Sequence, residues 1–261
     1  MYSKKDIYNS LKKLNLSKGD QIYCSVSFSF LGMPKFNIKS SNDLCKSFTE
    51  IILDIIGENG SIFTPSFSYS FNSLKKNLSF FDIKKTPSSV GPYGEYVRKL
   101  KESKRSIDPM ISISGIGKNK NILLEQNFTS YGKGCMFDKL KNLEKLKILN
   151  IGIGSNYIPF LHHLDHISKC KHRYDKYFKG IIKNINKKTN ISWHYQVAHR
   201  KKEASPNGYK LSSSATKNGI IKSKNIGGGK IYISDYNKLF NFCEKLTIKN
   251  SWITAEGPPY K

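Results

Sequence analysis

One succession of patterns restricts the folds open to this chain more than any other. Gln21 to Phe30 alternates and is rich in β-formers. Leu44, Phe48, Ile51, Ile52, Ile55 and Ile56 then repeat at helical spacing, and Ser61 to Ser66 returns to a strand pattern. A period near 2, then near 3.6, then near 2 again predicts strand, helix, strand. Ser41 or Asn42 can cap the helix, Gly57 stops it, and Asn59-Gly60 turns the chain into the second strand. The same punctuation continues. Helical patterns over Lys4 to Leu14 and Gly94 to Lys101 (capped upstream by Ser88 or Ser89), a helical turn or two at Lys120 to Gln126, and a glycine-rich loop opening a helix at Gly132 to Leu140 are interleaved with strand patterns at Ile111 to Ile116 and Lys147 to Ile153. Such alternation predicts an α/β fold: three α/β/α layers around a central mixed sheet.

Two stretches break the rhythm. Residues 70–92 are rich in Ser, Lys and Pro and predict a long loop. After about Cys170 the chain changes character. Tyr174 to Ile182 and Ile191 to Ala198 predict a hairpin, Ser205-Pro-Asn-Gly208 a turn, Lys230 to Ser234 a short strand, and Tyr236 to Leu246 a helix capped at Ser234-Asp235. Residues 1–261 are therefore expected to form one domain, with a core over 1–170 and a more antiparallel C-terminal extension over 171–261.

Composition narrows the class. Lys+Arg of 44 against Asp+Glu of 19 gives a formal net charge of +25, which favours anionic partners: nucleic acid, phosphorylated cofactors, nucleotide sugars or an anionic surface. Basic and aromatic residues are not interleaved in a nucleic-acid-binding motif, so no nucleic acid is expected. Five cysteines without a CxxC pair predict reduced thiols in a cytoplasmic protein. The N-terminus lacks the apolar core of a signal peptide, and no apolar run reaches the ~18 residues of a membrane span.

The chemistry-bearing stretch is Ile148 to His166, ILNIGIGSNYIPFLHHLDH: a strand, a glycine-rich turn and a helix start carrying His162, His163, Asp165 and His166. His162 and His166, at i and i+4, share a helix face and suit a metal, with His172 as a third ligand. His162 and Asp165, at i and i+3, are also neighbours, and a carboxylate that fixes an imidazole tautomer suits a general base. Surface or capping histidines are the third reading. Gly227-Gly228-Gly229 lacks phosphate-loop spacing and precedes a strand, which predicts a bulge or turn. Serines crowd the ends of the early elements, at Ser25, Ser27, Ser29, Ser66, Ser68, Ser88, Ser112 and Ser114, and suit a phosphate- and amide-rich cofactor such as coenzyme A.

Six ordered blocks resemble those of the aminoglycoside 3-N-acetyltransferase family (antibiotic N-acetyltransferases). They are GDQIYCSVSFSFLG (19–32), GSIFTPSFSYSF (60–71), FDIKKTPSSVGPYGEYVRKL (81–100), RSIDPMISISGIG (105–117), YGKGCMFDKL (131–140) and IGIGSNYIPFLHHLD (151–165). The resemblance implies transfer of an acetyl group from acetyl-CoA to an amine of an amino sugar, without a metal, by a monomer or homodimer. It places the base on His162 and its supporting acid on Asp165. It assigns Ser25, Val26, Ser27, Ser29, Ser88, Arg105, Ser106 and Ser112 to the coenzyme, and Asp108, Asn156 and Tyr157 to the acceptor, with residues 171–261 contributing to the acceptor site. Ser25 stands where the family has His, Val26 where it has Ser, Asp108 for the His of a His-Pro pair, Asn156 for Asp, Pro159 for Thr, and Asp165 for a longer Glu. A basic chain with these departures suits a neutral or phosphorylated amino sugar, such as a nucleotide-linked sugar for a surface polysaccharide, better than a polycationic antibiotic whose acetylation confers resistance. The rival expectations are a nucleic-acid-binding basic protein and a degenerate relative that binds coenzyme A without activity.

Overall fold

The computed structural model describes residues 1–72, 79–185 and 187–257. Its centre is the predicted strand–helix–strand unit. β1 (Gln21–Val26), α2 (Ser41–Ile56) and β2 (Ser61–Pro65) follow α1 (Lys4–Lys13), and β1 and β2 pair in parallel. On its other side β1 pairs in parallel with β6 (Leu146–Ile151), with Val26 opposite Ile151. Antiparallel strands complete a seven-stranded mixed sheet: β5 (Ile113–Gly117) and β4 (Lys104–Arg105) beyond β2, and β10 (Gly229–Asp235) and β9 (Lys222–Ile226) beyond β6. The remaining helices are α3 (Gly91–Lys99), α4 (Met136–Leu140), α5 (Leu161–Ile167), α6 (Tyr209–Lys217) and α7 (Tyr236–Lys249).

Alternate residues along the central strands divide between two apolar clusters, as the two-residue period of a pleated strand requires. Ile22, Cys24, Ile62, Leu149 and Ile151 join a cluster with Ile7, Leu11, Phe48, Ile52 and Val97 of α1, α2 and α3. Tyr23, Phe63, Leu146 and Ile148 join the other, with Phe137, Leu164, Leu211 and Phe240 of α4 to α7. Each fully buried Phe, Leu or Ile in these clusters contributes roughly 1.5–3 kcal/mol.

A second sheet carries β7 (Arg173–Asn184) and β8 (Lys187–Ala198) as a long antiparallel hairpin, joined in parallel by β3 (Phe80–Asp82). Here the expectation of a structureless 70–92 is corrected. A short helical turn at Ser70–Asn72 and β3 lie within it, because the hairpin offers Phe80 to Asp82 an edge to pair with. Residues 73–78 of that stretch lie outside the described residues.

Other differences are local. The cap of α2 is Ser40, whose hydroxyl accepts from the Asp43 amide while Asp43 answers in a capping box, so neither Ser41 nor Asn42 is needed. α3 starts at Gly91 without a side-chain cap, and Ser88 instead donates its amide to Glu95 Oε2. The first strand ends at Val26, and Phe28–Phe30 turns as a short 3-10 helix. β4, β9 and α6 have no counterpart in the sequence patterns. β9 reads KSKNI, a polar edge strand with four exposed residues and no alternation to betray it.

Candidate active site

β1 is the strand at which the sheet's order reverses, between β2 and β6, and in open α/β sheets ligands bind at the carboxyl ends of such strands. The turn leaving β6 starts at Gly152. Its φ is +64°, and a Cβ there would stand 2.1 Å from Ser27 O, so the close approach of the two strand ends admits only glycine. The turn is closed by Asn150, whose Nδ2 donates to Gly154 O and Tyr157 O at 3.1 and 2.9 Å. It delivers α5 to the mouth of a cleft of about 600 Å³.

His162 of α5 lines that cleft, and its Nδ1 stands 3.0 Å from Asp165 Oδ2. Asp165 is fully buried among basic side chains. Arg173 Nε lies 2.8 Å from Oδ2, and His172 Nε2 lies 3.4 Å from Oδ1. Burial acts to raise the Asp165 carboxyl, but hydrogen bonds from His162 and His172 and the Arg173 charge hold it well below the usual range. With Asp165 ionised, the proton of neutral His162 belongs on Nδ1, and the lone pair on Nε2. That lone pair meets Arg173 Nη2 at 3.2 Å, while Arg173 Nη1 donates to Gln196 O at 3.1 Å. Burial, with the Arg173 and His172 charges, lowers the pKa of His162 against the opposing pull of Asp165. A neutral, oriented imidazole facing a cleft is a competent proton acceptor.

The i,i+4 metal pairing of His162 with His166 does not form. His162 is engaged by Asp165, and His166 turns towards Asp175 and His194 on the hairpin. His172 is packed on Trp252, with ring centroids 5.0 Å apart. His163 is buried in the core: its Nδ1 accepts from the Gly132 amide at 3.1 Å and lies 3.5 Å from Cys135 Sγ. This is a Cys–His contact that no local motif announced. Burial pushes the Cys135 thiol up to about 12 and His163 down to about 4, so neither group is charged near neutrality and the pair is not an activated nucleophile.

The coenzyme candidates fall into two groups. Val26, Ser27 and Ser29 are partly or fully exposed where β1 ends, and the start of α3 closes on them: a Cβ on Gly91 would lie 3.9 Å from Val26 O. Ser88, half-buried, precedes that helix and accepts the Val90 amide on Oγ at 3.3 Å. Ser25 is buried beside Tyr157, whose phenol burial pushes up to about 12 against the opposing hydroxyls of Ser25 and Tyr23. None of the coenzyme candidates is among the residues lining the cleft, and Arg105, Ser106 and Ser112 are bound internally. Arg105 Nε donates to Ser112 Oγ at 3.0 Å and Nη2 to Ser66 O at 2.7 Å, its Nη1 reaches Thr86 O, and Ser106 Oγ accepts the Ile113 amide at 3.0 Å. They are internal cross-links between β4, β5 and the chain after β2.

Of the acceptor candidates, Asn156 and Tyr157 line the cleft and Asp108 does not. Asp108 is buried, raised by burial against hydrogen bonds from the Ile111 and Met110 amides, and also binds Gln126 Nε2 at 3.0 Å. Sequence reasoning missed the residues that arrive from afar. Tyr131 stands edge-on to His162 with centroids 6.1 Å apart, its hydroxyl 3.3 Å from that of Tyr195. Tyr69, Tyr209 and Glu256 complete the wall. Only Arg173, as a cation at the root of a strand just beyond the histidines, carried any signal.

Known proteins share both the pattern and the fold. The family model for aminoglycoside 3-N-acetyltransferase matches residues 37–247. The SPbeta prophage-derived aminoglycoside N(3')-acetyltransferase-like protein YokD of Bacillus subtilis (strain 168) is 25% identical over 150 residues, 51% of this chain and about half (53%) of that protein. The structure of sisomicin-bound AAC-VIa superposes with a TM-score of 0.80 at 16% identity over 95% of this chain and 98% of that one. The AAC-IIIb binary complex with CoASH superposes with 0.77 at 16% identity over 98% and 99%. At such identities the superpositions establish the fold alone, whereas the family model spans most of the sequence. The chain belongs to the aminoglycoside 3-N-acetyltransferase family.

Proposed function

We propose that this protein transfers the acetyl group of acetyl-CoA directly to an amine of an amino sugar, with His162 as general base and Asp165 as the acid that orients it. The observation that carries the reading is the pair itself: Asp165 Oδ2 on His162 Nδ1 at 3.0 Å, with His162 among the residues lining the cleft. The amine nitrogen attacks the thioester carbonyl, its proton passes to His162 Nε2, and the coenzyme leaves as the thiol after taking a proton. For this the incoming amine replaces Arg173 at Nε2, and Arg173 keeps its contacts with Asp165 and Gln196 O.

The coenzyme is read onto Ser27, Ser29 and Ser88 around the uncapped start of α3, where free backbone N–H groups suit a diphosphate. AAC-IIIb, solved with CoASH, supports coenzyme A as the acyl carrier in this fold. Arg105, Ser106 and Ser112 hold the walls from behind. The two apolar clusters on the sheet support the three-layer α/β/α arrangement, and the cleft residues contributed by β8, residues 206–209 and Glu256 support a role for the C-terminal part in binding the acceptor.

AAC-VIa binds sisomicin, a polycation. The cleft here is lined by Phe67, Tyr69, Tyr131, Tyr157, Tyr195 and Tyr209, with Glu256 the one carboxylate among the described residues of its lining, and the Arg173 guanidinium touches the base. That lining favours a sugar ring of low positive charge, held by stacking, over a ligand with several ammonium groups. The test is acetyl-CoA consumption against aminoglycosides and nucleotide-linked amino sugars, run beside melting of the protein with coenzyme A. We expect faster turnover of the nucleotide-linked sugars. His162→Ala is expected to lose ~10²–10⁴-fold in rate while coenzyme A still raises its melting temperature. Full turnover by His162→Ala, or turnover confined to aminoglycosides, overturns the base or the acceptor assignment respectively.

A further inference from the structure

A cluster of titratable groups lies one turn along α5 from His162, outside the residues that line the cleft, and the acetyl transfer makes no use of it. His166 sits one turn beyond His162, Asp175 near the start of β7, and His194 on β8. His194 Nε2 is 3.0 Å from Asp175 Oδ1, and His166 Nδ1 is 3.6 Å from the same oxygen. The three donor atoms all lie within 4.8 Å of one another. In a tetrahedral site with ligand bonds of about 2.0–2.1 Å, neighbouring donors stand roughly 3.4 Å apart. The two short edges of the triangle bracket that value.

The hydrogen bonding says what is missing from the middle. Thr129 Oγ1 gives its one proton to Tyr131 O at 2.6 Å, so it accepts from His194 Nδ1 at 2.8 Å. In neutral His194 this tautomer leaves the lone pair on Nε2, pointing at a carboxylate oxygen that is itself an acceptor. His166 Nδ1 is buried, turned to the same oxygen, and has no hydrogen-bond partner. Three converging acceptors need a cation between them, and a ring nitrogen fixed from behind by a hydroxyl is the usual support of a metal ligand. Asp175, at 55% exposure, leaves the position open to solvent.

We propose that His166 Nδ1, Asp175 Oδ1 and His194 Nε2 form a three-ligand site for a divalent transition-metal ion of the zinc type, with water as the fourth ligand. Two imidazoles and one carboxylate with an open position suit such an ion, and magnesium or calcium would demand more oxygens. The ion fastens α5 to the root of the hairpin. That root also carries Arg173, which touches both members of the proposed catalytic pair. The site is therefore a staple behind the relay, and its existence does not depend on what the cleft acetylates.

The experiment is calorimetric titration of chelator-stripped full-length protein with zinc chloride, together with melting curves and the visible spectrum of the cobalt(II) form. We expect one equivalent of zinc, a raised melting temperature and the intense visible bands of tetrahedral cobalt. His194→Ala and Asp175→Asn are expected to abolish stoichiometric binding, and Thr129→Val to weaken it ~10–100-fold. Asp175 is exposed, so Asp175→Asn tests the ligand without removing a buried group, and the melting curve of the metal-free variant checks its fold. Absence of one-equivalent binding by the wild type overturns the proposal. So does binding that survives Asp175→Asn and His194→Ala, or binding lost in Cys170→Ser, which would place the ion at Asp165, Cys170 and His172.

Discussion

His162 and His163 are adjacent, yet their environments give them opposite duties. His162 lines the cleft and leans on a carboxylate, while His163 is buried in the core with its Nδ1 on the Gly132 amide. Burial takes His163 from an ordinary 6.5 down to about 4. Between those values the unfolded chain binds a proton that the folded protein refuses, so stability falls as the pH drops through this window. The difference of about 2.5 units corresponds to roughly 3 kcal/mol, lost by about pH 4. Asp165 does not contribute in that window, because its depressed pKa keeps it ionised there. Urea unfolding at neutral and acid pH measures the loss. His163→Gln, whose amide oxygen can still accept the Gly132 N–H, is expected to lose less stability on acidification than the wild type, and equal losses would remove His163 as the cause. The residue scale also marks where sequence is legible. His162 and Asp165 pair within one helical turn, so their spacing announces them. Tyr131 and Tyr195 reach the same site from other elements, and nothing local in the sequence brings them together.

Among the elements, the turn from β6 to α5 carries the strictest demand. Alanine at Gly152 would have to adopt a φ of +64° and set its Cβ 2.1 Å from Ser27 O, a backbone atom that cannot swing aside. Gly152→Ala is expected to cost about 1–3 kcal/mol and to displace the entry to α5, which chemical denaturation and the acetylation rate would register together. A stability within error of the wild type would show that the two strand ends can separate freely. Elements with a strong period, such as α2 with Phe48, Ile52, Ile55 and Ile56 buried, were legible because one face alone is apolar. β3 was not, since Phe80 to Asp82 becomes a strand only where the later hairpin offers its edge. α6 was not either: YKLSSSATK buries only Leu211, Ser212 and Ala215, too few apolar positions to set a period.

Across the whole molecule, the excess of positive charge is the dominant electrostatic fact. A groove of about 710 Å³ gathers Lys84, Lys85, Arg98, Lys99, Lys101 and Lys104 with no carboxylate among the described residues of its lining, although Glu95 nearby pairs with Arg98 and Lys99. A net charge of +25 repels itself in the compact state. Raising salt from about 0.01 M to about 0.15 M shortens the screening length from ~30 Å to ~8 Å. The melting temperature is expected to rise over that range. A fall would mean that attractive pairs such as Lys147–Asp20, at 2.6 Å, outweigh the repulsion. Among the described residues no helix is long and apolar enough to cross a membrane. The α/β class was legible from alternation alone, and so were the antiparallel β5 and β10, whereas the two edge strands β4 and β9 were not, because short polar edges carry little pattern.

The contact between Arg173 and Asp165 has a consequence for how the chain comes off the ribosome. Asp165 sits in the first part of the chain, and the cation that compensates it opens the hairpin that follows. Until that hairpin has been synthesised and has closed, a buried carboxylate stands without its guanidinium partner, a costly state for a packed core. A nascent chain that stops near Cys170 is thus expected to carry His162 and Asp165 but not the guanidinium that holds them in place.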